Sequence, residues 1–385
     1  VHSGRPLRIA LVTSSYNYIA DGVALTLNRL VGYLESQGVE VLVFAPTAPV
    51  AALVHQGTLV SVASIPLPGR PEYRLALGMS GTVKRRLLDF APDIIHLAVP
   101  DLLGHAALKL AQSQGIPAVA TYHTRYETYL RHYWYLAPFE GFLTGILRRF
   151  YARCREVYVP SDSTREALLA DGLRDNFKPW PRGIETLRFT PDKRSSAWRA
   201  RHGIGADELV VLHVSRLVRE KRLDTLTAAL KALDFPHRVV IVGDGPDRGL
   251  VERELPHAVF TGFLGGEDLA TAYASSDIFV FPSDSESFGN VTLEAMASGL
   301  PCVAANATGS RSLVVAGETG FLAPADDAPA FARHITALAT DAPLRARMSH
   351  AARARSLTFS WDETLGRMLG YYRAVLGQNE KKTAP

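Results

Sequence analysis

Short apolar runs rich in β-branched residues recur along this 385-residue chain, each followed by a stretch with helical spacing. No other feature limits the fold as much. Parallel strands need a long crossover between them, usually a helix, so the alternation predicts parallel sheets covered by helices on both faces. In the first half the predicted strands are Leu7–Val12, Val39–Ala45, Leu59–Ala63, Ile94–Leu97, Ala118–Thr121 and Glu156–Pro160. Helices are predicted over Gly22–Gln37, stopped by Gly38, over Asp101–Gln114 and Phe139–Cys154, and over Ser163–Ala170 with Ser161 or Asp162 as its cap. The stretch Lys178–Ile184 holds two prolines and a glycine and reads as a turn or hinge. A second cycle starts near Pro191, with strands at Leu209–Val214, Arg238–Val242, Val259–Thr261, Ile278–Phe281 and Cys302–Ala304; residues 360–377 read as a terminal helix. The length exceeds one ordinary core, so two α/β domains are expected, residues 1–185 and 191–359.

Composition narrows the class. With 47% hydrophobic and 21% charged residues the chain is globular in character. No apolar stretch reaches the roughly 20 residues that span a bilayer. The run VHSGRPLRIALV leads straight into a strand pattern, so no signal peptide is expected. Cys154 and Cys302 lie in different halves, which gives neither a disulfide framework nor a zinc spacing and suits a reducing compartment. Residues 1–190 carry 20 Lys/Arg against 15 Asp/Glu, and residues 191–385 carry 22 against 23. A basic first half suits an anionic surface or ligand. Nucleic acid is not an expected partner, because no basic and aromatic stripe is present.

The chemistry concentrates in the run ESFGNVTLEAMASGLP, Glu286 to Pro301. Glu286 lies in a polar loop after the apolar run ending at Phe281, and Glu294 lies eight positions on, inside a helix starting near Asn290. A strand, a glycine-containing loop and a helix N-terminus together can hold a phosphate, since the first N–H groups lack intrahelical partners. The spacing alone fits equally well a solvated loop glutamate and a surface helix glutamate. Upstream, Arg216 and Lys221 sit five residues apart in a strand-exit loop. Two cations there can neutralise a diphosphate or form an exposed charge cluster. Gly243 ends the next strand in a tight turn, which needs glycine with or without a ligand. Gly262-Phe-Leu264 ends the strand after that. In the first half, Gly22 would let an anion approach the start of the first helix, and His123 follows a strand end, where ligands collect in open parallel sheets.

The run from Glu286 resembles the carboxylate–seven residues–carboxylate signature of the retaining family 4 glycosyltransferases. Ser287, Phe288 and Gly289 after the first glutamate and Glu-Ala-Met-Ala-Ser-Gly-Leu-Pro after them carry the likeness, which extends over nearly the whole chain. It implies an α/β GT-B fold: two facing Rossmann-like domains, the first on the acceptor side, with a C-terminal helix crossing back onto it. It further implies that Glu286 binds hydroxyls of the donor sugar and Glu294 the ribose. Backbone N–H groups of Phe288, Gly289, Asn290 and Val291 would face sugar and phosphates, and Arg216 and Lys221 would grip the diphosphate. Gly243 and Leu264 would line the nucleotide pocket, Gly22 would approach the diphosphate, and His123 would contact the sugar near its reacting end. Asp21 stands where many relatives carry glycine and is expected, with Arg125 and Tyr126, on the acceptor side. The resemblance implies retention of configuration without a dedicated nucleophile. It also implies no cofactor or metal beyond the nucleotide sugar, although Asp284-Ser-Glu286 superficially resembles a metal-binding triplet.

The acceptor question falls on residues 125–155, which hold six Arg against two Glu among many aromatics. Arg148, Arg149 and Arg153 sit near the end of the predicted helix 139–154. They fit a basic helix terminus matched to the dipole, or a patch that touches anionic lipid. Pro71–Leu77, the His-Tyr after Arg131 and Trp180–Ile184 resemble the branch holding sulfoquinovosyl-diacylglycerol synthases and mannosyl- and glucuronosyl-lipid transferases. The function this implies is transfer of a sugar from a nucleotide diphosphate, UDP favoured over GDP, to a membrane lipid. The enzyme would be cytoplasmic and peripherally associated with the inner face of the membrane. Alternatives are GDP-mannose-dependent mannosyl transfer, a soluble saccharide acceptor, a nucleotide-sugar 2-epimerase, and a non-catalytic nucleotide-sugar-binding protein.

Overall fold

The computed structural model describes residues 5–19, 21–67, 70–122, 140–284, 286 and 288–380. The chain divides into two compact units, Val1–Trp180 with Leu365–Pro385, and Pro181–Thr364. Among the described residues no helix is long and apolar enough to cross a membrane.

The first unit is built on strands β1 (Arg8–Val12), β2 (Glu40–Pro46), β3 (Thr58–Val62), β6 (Ile94–Leu97), β7 (Ala118–Thr121), β8 (Val157–Val159) and β9 (Phe177–Pro179). They form one sheet in the order β3-β2-β1-β6-β7-β8-β9, every neighbouring pair parallel. Strands β4 (Ser64–Leu67) and β5 (Arg70–Ala76) form a separate antiparallel pair. Helices α1 (Gly22–Ser36), α2 (Gly81–Phe90), α3 (Leu102–Gln114), α4 (Glu140–Ala152) and α5 (Asp162–Ala170) connect the strands. Helix α1 buries Leu27, Leu30, Val31 and Leu34 along one stripe. Gly38 follows it at φ +76, the left-handed position that glycine adopts without strain. Ser161 caps α5, its hydroxyl accepting from Thr164 N at 3.2 Å.

The second unit holds β10 (Val210–Val214), β11 (Arg238–Val242), β12 (Val259–Gly262), β13 (Ile278–Phe281), β14 (Cys302–Ala305) and β15 (Gly320–Ala323). All are parallel, in the order β12-β11-β10-β13-β14-β15. Its helices are α6 (Ser196–Arg201), α7 (Leu223–Lys231), α8 (Arg248–Glu254), α9 (Gly266–Ala274), α10 (Asn290–Ala297), α11 (Thr308–Leu313), α12 (Ala328–Thr340) and α13 (Ala342–Leu357). The strands bury both faces. Leu212, Val240 and Phe279 pack with Tyr273, Leu293 and Met296 on one side. Val211, Ile241 and Val280 pack with Leu226, Phe331 and Ile335 on the other. Each fully buried side chain of this kind contributes about 1.5–3 kcal/mol.

Helix α14 (Trp361–Glu380) starts in the second unit and continues into the first. There Tyr372 is fully buried, and its hydroxyl lies 2.6 Å from His96 Nδ1. The other ring nitrogen of His96 meets Thr121 Oγ1 at 2.5 Å. Burial holds the imidazole near 3, so it is neutral and structural.

Four strands differ from the sequence expectation. Lys178 and Pro179, read as part of a turn, lie in β9; this is the edge strand of its sheet, where a missing N–H is tolerated. The β4–β5 pair was not expected, and Pro66 and Pro71 mask it in the sequence. Strand β15 is four residues long and begins with Gly320; a Cβ there would sit 2.1 Å from Cys302 O, so the glycine that hides the strand is what lets it pair.

Candidate active site

In the second unit the strand order reverses between β10 and β13, with β11 and β12 on one side and β14 and β15 on the other. Open parallel sheets bind ligands at the carboxyl ends of their strands at such a switch point. The loops leaving β10 and β13 flank it, and they carry Lys221 and Glu286. The ammonium of Lys221 donates to Glu286 Oε1, with both side chains largely shielded, at 19% and 25% exposure. Sixty-five residues of sequence separate these two groups, and the fold brings them into contact. Arg216, in the same loop as Lys221, is exposed, and its guanidinium has no hydrogen-bond or ion-pair partner among the described residues.

His213 supports this loop. Its Nδ1–H donates to Val280 O at 3.0 Å, which leaves Nε2 to accept from Ser215 Oγ at 2.7 Å. Burial pushes the imidazole down to about 4. The neutral ring therefore acts as a strut between the ends of β10 and β13. The turn after β11 packs onto the same loop. A Cβ at Gly243 (φ +124) would lie 1.8 Å from Ser215 O, so the protein's own backbone already demands this glycine. Leu264, in the loop after β12, is partly buried against the core.

Helix α10 begins beside Glu286. Gly289 precedes it at φ +91, and among the described residues no side chain caps it and its first turn holds no acidic group. Its first N–H groups and the positive end of its dipole are thus open to an anion. Phe288 anchors the approach, 3% exposed within the core. Gly309 fits closely behind the loop, since a Cβ there would approach Glu286 Cβ to 2.8 Å. Asn290 is exposed and Val291 half-buried at the first turn. Glu294 is half-buried, and Tyr273, wholly buried, donates its hydroxyl to Glu294 Oε2 at 3.0 Å. Burial pushes the Glu294 carboxyl up to about 7. Tyr273 lies on α9, in a stretch with no recognisable motif, and nothing in the sequence singles it out.

In the first unit, Gly22 is the exposed first residue of α1. Asp21, expected to meet acceptor hydroxyls, has both carboxylate oxygens engaged in its own loop. Oδ1 accepts from Ala24 N at 2.8 Å and Oδ2 from Ser15 Oγ at 2.9 Å. The acidic residue at this helix start is accounted for as an N-cap. His123, Arg125 and Tyr126 lie outside the described residues. In α4, Leu147, Phe150 and Tyr151 face the core, while Arg148 and Arg149 are exposed. Arg153 donates to Gln112 Oε1. Buried Cys154 and Cys302 are both free thiols.

The chain matches the family described as Glycosyltransferase Family 4 over residues 20–188 and the one described as Glycosyl transferases group 1 over residues 195–355. It is 34% identical to the GDP-mannose-dependent alpha-mannosyltransferase of Mycobacterium tuberculosis, over 98% of this chain and 99% of that protein. It is 33% identical to the sulfoquinovosyl transferase SQD2 of Arabidopsis thaliana, over 93% and 71%. Identity to the alpha-monoglucosyldiacylglycerol synthase of Streptococcus pneumoniae is 28%, over 77% and 71%. Among solved structures, the sucrose-phosphate synthase of Thermosynechococcus elongatus superposes with a TM-score of 0.71 at 23% identity, covering 97% of this chain and all of that one.

Proposed function

The chain belongs to the family 4 glycosyltransferases of the GT-B fold, and on that premise we propose that it transfers a hexose from a nucleoside diphosphate sugar to a lipid hydroxyl. The observation that carries this reading is the contact between Lys221 and Glu286 beside the open N-terminus of α10. It joins a phosphate-type cation, a sugar-type carboxylate and an anion-binding helix end at one switch point.

In this reading Arg216 and Lys221 bind the diphosphate with the backbone N–H groups of Phe288 to Val291. Glu286 holds sugar hydroxyls and Glu294 the ribose; Gly243 and Leu264 bound the nucleotide. The bond between the anomeric carbon and the diphosphate oxygen breaks as the acceptor oxygen bonds to the same face. The acceptor proton passes to the departing phosphate oxygen, which gives retention without an enzyme nucleophile. Charge grows on the diphosphate in the transition state, so fixed cations and N–H groups aimed there lower the barrier; losing one such donor typically costs about 2.7–4 kcal/mol.

GDP-mannose is the first donor to test, because the mannosyltransferase relative aligned over 98% of this chain carries it in its name. A UDP sugar, the donor favoured by sequence, is the second reading. A lipid acceptor is supported by the alpha-monoglucosyldiacylglycerol synthase relative, whose name carries a lipid product. The exposed Arg148 and Arg149 would meet an anionic membrane surface. The test is a thermal-shift panel of GDP, UDP and ADP sugars, followed by transfer of radiolabelled sugar into a lipid extract. A chloroform-soluble product with the donor's anomeric configuration is expected. Label that enters only water-soluble glycans would overturn the lipid acceptor, and an inverted product would overturn retention.

A further inference from the structure

Arg222 and Asp284 have no part in the donor reading above, yet they stand beside its two central residues. Arg222 has φ +54 and ψ 48, one of two non-glycine residues with positive φ among the described residues. Glycine adopts this conformation freely and arginine does not; the backbone N–H of Arg222 closes the preceding turn on Arg219 O at 3.0 Å. The guanidinium lies 3.5 Å from Asp284 Oδ2, 3.4 Å from Asp224 Oδ1 and 3.5 Å from Thr225 Oγ1. Its neighbour Lys221 pairs with Glu286. Adjacent cations in the loop after β10 thus meet alternate carboxylates in the loop after β13. Asp284-Ser-Glu286, which in sequence resembles a metal-binding triplet, faces two side-chain cations.

We infer that Arg222 is a positioning residue for Glu286, acting through Asp284; this rests on the donor-sugar role given to Glu286 above. The two pairs are not equivalent. Lys221 is the cation a donor diphosphate would take, and when it does, Glu286 loses its partner and is released to sugar hydroxyls. Arg222 sits one residue further on, at the start of α7, and its tie to Asp284 persists. It keeps the loop in register while Glu286 changes partners. Without it, donor binding would free the carboxylate and its backbone together.

The decisive variant is Arg222→Gly, since glycine suits φ +54 and only the guanidinium is lost. The expected result is a thermal midpoint no lower than that of the wild type, unchanged nucleotide affinity and a kcat lowered about three- to tenfold, as fits a partly exposed pair. Asp284→Asn should match that loss, and the double variant should add nothing to it. Arg222→Lys should recover part of the rate. Wild-type kcat in Arg222→Gly, or losses that multiply in the double variant, would overturn the inference. A kcat loss that tracks a lower thermal midpoint would overturn it too, because Arg222 would then serve stability alone. Glu286→Ala separates the levels: an inactive Glu286→Ala beside a fully active Arg222→Gly sinks only this inference, whereas near-normal turnover in Glu286→Ala sinks the donor reading beneath it.

Discussion

Glu294 and Glu286 show how neighbours set the chemistry of a single residue. Burial raises the Glu294 carboxyl from 4.5 to about 7. Between those values the folded chain keeps a proton that the unfolded chain has released, so this group favours folding most below about pH 4.5 and loses that contribution as pH rises to about 7. Glu294→Gln removes the titration. Its thermal midpoint relative to wild type should therefore climb from pH 5 to pH 8, and a flat difference would contradict the assignment. If ribose hydroxyls donate to the carboxylate, nucleotide affinity of the wild type should also rise between pH 6 and pH 8, as calorimetry would register, with that slope absent in the Gln variant. Glu286 behaves differently because its partner is Lys221. Glu286→Ala should abolish transfer while nucleotide binding stays as tight or tightens, since the diphosphate no longer competes for the ammonium. Weakened nucleotide binding would speak against Lys221 as the phosphate cation.

At the level of elements, two glycines with positive φ make separable demands. Gly289 precedes α10, and a Cβ there would sit in ordinary van der Waals contact, the nearest atoms 3.5 Å away, so Gly289→Ala meets mainly left-handed strain of about 1–2 kcal/mol. Gly243→Ala would drive a Cβ to 1.8 Å from a backbone oxygen that cannot step aside. Gly243→Ala should therefore lower the thermal midpoint far more than Gly289→Ala, and the reverse order would contradict the packing. For α4, Arg148→Ala with Arg149→Ala should reduce co-sedimentation with anionic liposomes, and Arg153→Ala should matter less because Arg153 is held by Gln112. Equal binding by all variants would remove the membrane argument. The strands were readable because they bury both faces as continuous apolar runs; Ile94–Leu97, Ala118–Thr121, Arg238–Val242 and Ile278–Phe281 appear residue for residue. What stayed hidden were contacts made by folding. Tyr273 reaches Glu294 from a different helix, and nothing in the residues around Arg222 signals its backbone conformation.

For the molecule as a whole, the alternation of strand and helix predicted two α/β halves, but not the contacts that make α14 part of the first unit. Tyr372 supplies the hydroxyl for buried His96. Tyr372→Phe leaves a ring nitrogen without that partner in a dry core, at a cost of about 1–3 kcal/mol. Hydrogen exchange should quicken in β6 and β7 while the second unit keeps its wild-type rates; equal acceleration in both units would contradict the assignment of α14. The division of the chain has a consequence for biosynthesis. The second unit is one continuous segment, Pro181–Thr364, whereas the first is finished only by residues from Leu365 onward. On the ribosome, domains fold as their residues emerge. The strands made first must therefore wait, with the polar ring of His96 unpartnered by Tyr372, until the unit made second has been synthesised and α14 follows it out. A nascent chain stalled before Tyr372 would hold a complete second unit and an unfinished first one, and would be a natural client for chaperones.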